Sequence, residues 1–587
     1  MPVTQYTILD KKVIIKLRDR ICEDSDELLS SDLFRAVVER CITDLVRKES
    51  PLLQVFNKKT AITEKDISVF LEFIKYLAKM PMHLVTKIVP DSIVFTNNQE
   101  LLSDFIEHLY NFWRNYERFI ICDSEYEQLD KRPYRVFNAT IEALTHLIRG
   151  TYRDIEENIT GSHPRIYRQV RAGAEIASIA LMNKLTFSDP VYQQLNNVSV
   201  IRQILLYPPL ILHPPMNKRT GKFTRVSENP LTKISLNPGE WLCYPAMVGE
   251  MLILVYFQQK YYGLGFSLSN LFELADDEQL KQKPAAVYLY GIPDPELYEL
   301  SSFPTIFYED QETDMLVGAV PDKDEFGYFG YLKKMILTLY NIKKIKSGKL
   351  PYHGAMVNIR LKNNKSANIL VIGDTGAGKS ETLEMLRTLG NDIIEDITII
   401  ADDMGSLDID KSGNIIAYGT EIGAFVRLDD LQPGYAFGQI DRTIIMSPNQ
   451  VNARVVIPVT THNNITRGFP VNFILYANNY EEPDEEHPVI QRLETMEKAL
   501  EVFREGTAMS KGTTTSTGLV HTYFVNVFGA VQYKAEHDEI AKKFFAQIFK
   551  NSIFVGQMRT RLGIAGWERK GPEESAKQLL ELIQQMS

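Results

Sequence analysis

The chain has 587 residues, more than one hydrophobic core usually supports, so two or three domains are expected. Its 44% apolar and 24% charged content is that of a soluble globular protein, and a net charge of −10 argues against a general nucleic-acid binder, whose footprint would be basic. No apolar run of about 18 residues occurs, and Asp10, Lys11, Lys12 and Lys16 break any signal-peptide core, so neither membrane insertion nor export is expected.

Residues 1–190 carry helix-period patterns, as in Leu33-Phe34-Arg35-Ala36-Val37-Val38 and Leu71 to Leu77, and read as an all-α domain. This stretch holds no chemical motif. Its expected role is a scaffold, an oligomer contact or a surface for a protein partner. From about 195 the texture changes to proline-punctuated short strands, for example Pro208 to Pro215 and Met251 to Phe257. A mixed α/β lobe is expected over 195–325, and a catalytic domain over 326–587. In the latter, Tyr331 to Asn341 reads as an apolar helix carrying Lys333 and Lys334, and a further helix is expected from about Glu573 to Gln585. The four cysteines, Cys22, Cys41, Cys122 and Cys243, form no C-x-x-C pair and read as reduced, mostly structural thiols of a cytoplasmic protein.

The stretch that carries chemistry is Gly373-Asp374-Thr375-Gly376-Ala377-Gly378-Lys379-Ser380-Glu381. In the pattern G-x-x-x-x-G-K-[ST], glycines let successive amides turn toward one anion, the lysine reaches the outer phosphates, and the hydroxyl ligates a divalent cation. Its flanks agree: Ala367 to Ile372 reads as a buried strand, and Glu381 to Leu386 continues at helical spacing, so the helix N-terminus adds its partial positive charge. The next apolar run, Ile397 to Ala401, ends in Asp402-Asp403, where a metal-holding carboxylate beside such a loop belongs. Alternating strands and helices around the loop indicate an α/β nucleotide-binding core.

Other residues narrow the reaction. Upstream lie Tyr328, the Lys333-Lys334 pair and, 19 residues after Lys334, His353; downstream lie Asn452-Ala453-Arg454-Val455-Val456-Ile457-Pro458 and Phe503 to Ala508. In their order and spacing these segments resemble the phosphoenolpyruvate carboxykinase family, most nearly its ATP-using branch. The resemblance runs over about residues 200–587 and is strongest after 325. It implies a P-loop core with a mixed α/β lobe, and conversion of oxaloacetate to phosphoenolpyruvate and CO2 at the expense of a nucleotide. It also implies two divalent cations. One, preferably Mn2+, would be held by Lys334, His353 and Asp403, with Asp402 beside them; a second, Mg2+ or Mn2+, would ride on the nucleotide with Ser380. By the same resemblance Lys379 and Arg454 would neutralise the transferring phosphoryl group, and Tyr328 would hold substrate or departing CO2.

The chain departs from the family at three points. Gly378-Lys379-Ser380-Glu381 stands where the family usually has Gly-Lys-Thr-Thr, and the family's first substrate-binding motif is absent in its usual form, with Arg219 the best substitute. The base-binding segment is only loosely matched around Trp567 to Lys570, which leaves ATP as the default donor and GTP or pyrophosphate open. The loop, His353-Gly354 and Ala401-Asp402-Asp403 also resemble HPr kinase/phosphorylase, whose acceptor is a protein serine. Tyr328, Lys334, Arg454 and the segment after Phe503 favour the carboxykinase.

Overall fold

A computed structural model describes residues 5–17, 20–57, 62–124, 136–163, 166, 169–219, 222–293, 297–374, 376–390, 392–428, 440–511 and 517–585. They form two units, one of residues 1–184 with 199–207 and one of 185–198 with 208–587. Both are mixed α/β.

In the first unit, helices Asp32–Arg47, Glu64–Leu77 and Gln99–Arg114 begin where Ser31, Thr63 and Asn98 accept a first-turn amide through their side chains. Their apolar faces, with that of Phe137–Thr160, close over a core in which Phe56, Phe70, Phe95 and Phe105 pack at ring separations of 5.2 to 5.6 Å. The all-α expectation is corrected here. Strand Lys12–Leu17 pairs antiparallel with Gln5–Leu9 and parallel with Glu117–Ser124, which continues through Ile176–Leu181 to Ser199–Leu206. The reason is burial: Val13-Ile14-Ile15 and Ile176 to Leu181 have almost no exposed face, so they lack the alternation that marks a half-exposed strand.

The second unit contains the whole span expected to form the two catalytic lobes, apart from the strand segment 199–207. One sheet runs in the order Trp241–Val248, Met251–Gln258, Ala286–Ile292, Met315–Pro321, Ile306–Asp310 and Thr224–Arg225. Another runs Phe469–Pro470, Ile415–Gly419, Met404–Ile409, Leu350–Leu361, Ser366–Ile372, Phe473–Asn478, Phe554–Arg559 and Ile490–Arg492, with Ile394–Ala401 also paired to Leu350–Leu361. A smaller sheet joins Gly423–Arg427, Arg454–Pro458, Ile444–Met446 and Leu210–Leu212.

Helix Phe329–Lys346 packs against Ala286–Ile292 and Met315–Pro321 of the first sheet and against Leu350–Leu361 and Met404–Ile409 of the second. A helix covered on both sides must be apolar all round, and this one is buried at nearly every position. The lysines it carries are therefore drawn into the interior. The cysteines are buried and none is in a disulfide. Among the described residues no helix is long and apolar enough to cross a membrane.

Candidate active site

The glycine loop is framed by donors from two other segments. Strand Ser366–Ile372 lies between an antiparallel and a parallel neighbour and ends at Gly373, where a side chain would press on Ala377 and Ala477 at 2.9 Å. Gly376 and Gly378 turn the chain with φ of +77° and +91°, a region that glycine enters without strain. Asn479 Nδ2 donates to the Gly376 carbonyl at 3.0 Å, and Thr560 Oγ1 to the Ala377 carbonyl at 2.6 Å. Lys379 Nζ folds back onto the carbonyls of Gly373 and Asp374 at 2.6 and 2.9 Å. Helix Lys379–Leu389 starts directly after Gly378 and offers its first-turn amides and partial positive charge. Ser380 is exposed and Glu381 half-buried. Thr375 lies outside the described residues.

A cavity of about 190 Å³ opens beside this loop, lined among others by Lys379, Ser380, Asp402, Asp403, Arg427 and Arg454. Arg454, at the head of strand Arg454–Pro458, is 8% exposed, and its Nε has no hydrogen-bond partner. A buried guanidinium donor left open marks a place for an anion oxygen. Tyr328, the residue before the lysine helix, packs on Phe425, whose ring also lies 5.5 Å from the Arg454 guanidinium. Burial pushes the Tyr328 hydroxyl up, against the pull of its charged neighbours Arg454 and Arg219. The structure thus brings Arg219 to Tyr328 and Tyr331, with its guanidinium over Phe223.

The second cluster centres on Asp403. Lys334 Nζ and Lys333 Nζ each lie 2.8 Å from its Oδ2, and His353 Nε2 lies 3.0 Å from its Oδ1. His353 is brought there by strand Leu350–Leu361, where it registers with Met404, while the Gly354 amide donates to the Asp403 carbonyl at 2.9 Å. The lysine pair is divided by its surroundings. Burial opposes the charge on Lys333, but Asp403 and Glu421 outweigh it and hold the ammonium in its charged form. Lys334 is the opposite case: burial, only partly offset by Asp403 and reinforced by Lys333, brings it down to about 8. Burial pushes the Asp403 carboxyl up, and the two ammonium groups overcome it and hold it well below the usual range. Glu421, desolvated at the far side of Lys333, is pushed up to about 7. Asp402 is raised by burial, and the hydrogen bonds of Lys334 Nζ and His353 Nε2 go to Asp403, so Asp403 is the aspartate of this cluster.

His353 tests whether a cation fits. Its Nδ1 donates to the Val525 carbonyl at 2.6 Å, so its Nε2, 3.0 Å from Asp403 Oδ1, either donates a second proton to the carboxylate or turns a lone pair toward it. In the second arrangement the imidazole and the carboxylate are two acceptors that a metal ion would bridge. Amine, imidazole, carboxylate and hydroxyl are donors that Mn2+ accepts, and a lowered Lys334 is an amine that can be neutral. Among the described residues no three His, Cys, Asp or Glu side chains converge as a metal site. Of the three donors of this cluster, Lys334 belongs to neither acid nor thiol nor imidazole class.

The carbonyl that fixes His353 comes from a strained turn. Phe524, Val525 and Asn526 have φ of +48°, +50° and +63°, a run that bulky residues adopt at a cost of about 1–3 kcal/mol each. Phe524 packs on the buried His537 ring at 4.9 Å, and the Tyr523 hydroxyl meets His537 Nδ1 at 3.0 Å. Burial brings His537 down to about 4, so the folded state resists protonation that the unfolded chain accepts at its ordinary value near 6.5. The neutral ring's contribution is whole above pH 6.5 and falls away between about 6.5 and 4, about 3 kcal/mol in all. Denaturant titrations at pH 7 and pH 4.5 are expected to differ by less in His537→Gln than in the parent; equal losses would refute the assignment.

Sequence reasoning missed Glu421, Phe425, Val525 and Phe528, the last of which lies 4.2 Å under Lys334 Nζ. Glu421 alone had a signal, a carboxylate in the otherwise apolar Ile422 to Val426 context. No family and no curated protein matches the chain in comparison searches.

Proposed function

We propose that the chain is a metal-dependent phosphoryl-transfer enzyme of the phosphoenolpyruvate carboxykinase type. The observation that carries this reading is the convergence of Lys334, His353 and Asp403 in the same core as a glycine loop with Lys379.

In this reading oxaloacetate loses CO2, the electrons of the broken carbon–carbon bond form an enolate, and the enolate oxygen takes the γ-phosphoryl group of a nucleotide. The products are phosphoenolpyruvate, CO2 and the nucleoside diphosphate. Negative charge accumulates at both steps, and fixed positive groups are the means of bearing it. Lys379 would swing from the Gly373 and Asp374 carbonyls to the outer phosphates, and Arg454 would donate its open Nε to the transferring group. Tyr328 and Arg219 would bind the substrate carboxylate or the departing CO2. Lys334, His353 and Asp403 would hold Mn2+, and Ser380 a Mg2+ carried on the nucleotide. What a divalent cation supplies when bound is stabilisation of the enolate and phosphoryl oxygens. ATP is the donor proposed, with GTP and pyrophosphate as alternatives.

The test is a coupled assay for phosphoenolpyruvate formed from oxaloacetate with Mn2+ and Mg2+, run in parallel with the three donors. Donor-dependent product supports the carboxykinase and names its donor; no product from protein that binds nucleotide would turn the reading to a protein kinase on the same loop. In an active preparation, His353→Ala is expected to raise the Mn2+ needed for half-maximal rate by more than the roughly 10–100-fold that loss of a supporting partner causes. An unaltered metal titration would remove the imidazole from the site.

A further inference from the structure

The first unit contains an apolar cavity of about 110 Å³ between its helices, walled chiefly by Leu29, Phe34, Ile74, Leu109, Ile148 and Ile155. No charged side chain lines it, which excludes an ionic ligand. Its volume exceeds that of one water several-fold, but a buried water needs two to four polar partners, and this wall does not supply them. Apolar cavities of about this size hold small aromatic molecules.

One group inside the wall is out of place. Thr151, on helix Phe137–Thr160, is 4% exposed, lines the cavity, and its Oγ1 has no hydrogen-bond partner. A threonine within a helix ordinarily returns its hydroxyl to the preceding turn. Three other polar groups of the wall are committed: Ser31 Oγ donates to the Leu28 carbonyl at 2.8 Å, Trp113 Nε1 to the Ala172 carbonyl at 2.6 Å, and the Tyr152 hydroxyl bonds Glu107. Tyr110 and Tyr152 stack at 4.0 Å, so their rings present a fixed aromatic edge.

We propose that this cavity is a binding site for a small uncharged aromatic molecule with one hydrogen-bonding group, of the size of a phenol, whose hydroxyl pairs with Thr151 Oγ1. The aliphatic wall takes the ring, and the tyrosine pair and Trp113 meet its edge. The site stands independently of the phosphoryl-transfer reading.

Calorimetric titration of the full chain with phenol, toluene and benzoate tests it. Phenol is expected to bind saturably at one site, toluene about tenfold more weakly for want of the hydrogen bond, and benzoate not at all. Thr151→Val is expected to retain toluene and lose the preference for phenol, while Ile148→Phe, which fills the cavity, abolishes both, with thermal unfolding and circular dichroism showing each variant folded. Absence of saturable binding of phenol to the parent, or binding undiminished in folded Ile148→Phe, overturns the site. A phenol preference that survives in Thr151→Val overturns the role of the hydroxyl.

Discussion

Lys379→Ala is expected to lower phosphoryl transfer by about 10³-fold or more while leaving the fold intact. The lysine is buried at the start of helix Lys379–Leu389, and its ammonium rests on two carbonyls of the loop it would leave when phosphate arrives. Those two bonds help to shape the loop, but Asn479 and Thr560 hold it from the other side, so its frame survives the truncation. The loss is therefore electrostatic, a missing charge where the outer phosphates gather. Circular dichroism and a thermal melt close to the parent's, with turnover gone, are the expected pair of results. Turnover at the parent's rate would exclude the loop from the reaction.

Asp403→Asn is expected to damage both stability and metal binding. The carboxylate neutralises two buried ammonium groups, and removing one partner from such a group leaves a charge in the interior at a cost of about 3 kcal/mol. It also removes the one carboxylate that, among the described residues, contacts both His353 Nε2 and Lys334 Nζ, so Mn2+ affinity should fall by more than the roughly 10–100-fold that loss of a supporting partner causes. Glu421→Gln is the comparison. It touches Lys333 and neither His353 nor Lys334 by direct contact, so it is expected to spare most of the metal affinity. Calorimetric Mn2+ titration of the two variants, with denaturant unfolding alongside, separates the effects. Equal metal affinities in the two would sink the assignment of Asp403 as a ligand.

The parts of the site that could be read in the chain are those whose residue type announces the chemistry. Glycines spaced around Lys379, an aspartate at a strand end and a histidine beside a glycine are local patterns, and the structure brings them into one unit. What escaped was supplied by atoms without a type. The Val525 carbonyl that orients His353 belongs to a left-handed turn built from Phe524, Val525 and Asn526, none of them the glycine that such backbone normally requires. The difference between Lys333 and Lys334 also escaped, because it arises from the second carboxylate beside Lys333, that of Glu421, 88 residues further along the chain. In the first third, helix periodicity was legible from Leu33 and Leu71 onward, whereas the buried runs around Ile14, Ile120 and Ile179 show one apolar texture in either secondary structure.

The tie between Thr560 and Ala377 has an implication for how the molecule comes into being. The two residues are 183 positions apart, and a side chain at Gly378 would collide with Thr560 at 2.6 Å, so the loop is moulded against a residue made long after it. Strand Phe554–Arg559 and helix Lys570–Gln585 likewise complete the core around Leu386 through Met558, Ala576, Leu579 and Ile583. A ribosome-bound chain halted before residue 560 would carry every letter of the phosphate motif and lack the wall that gives it shape.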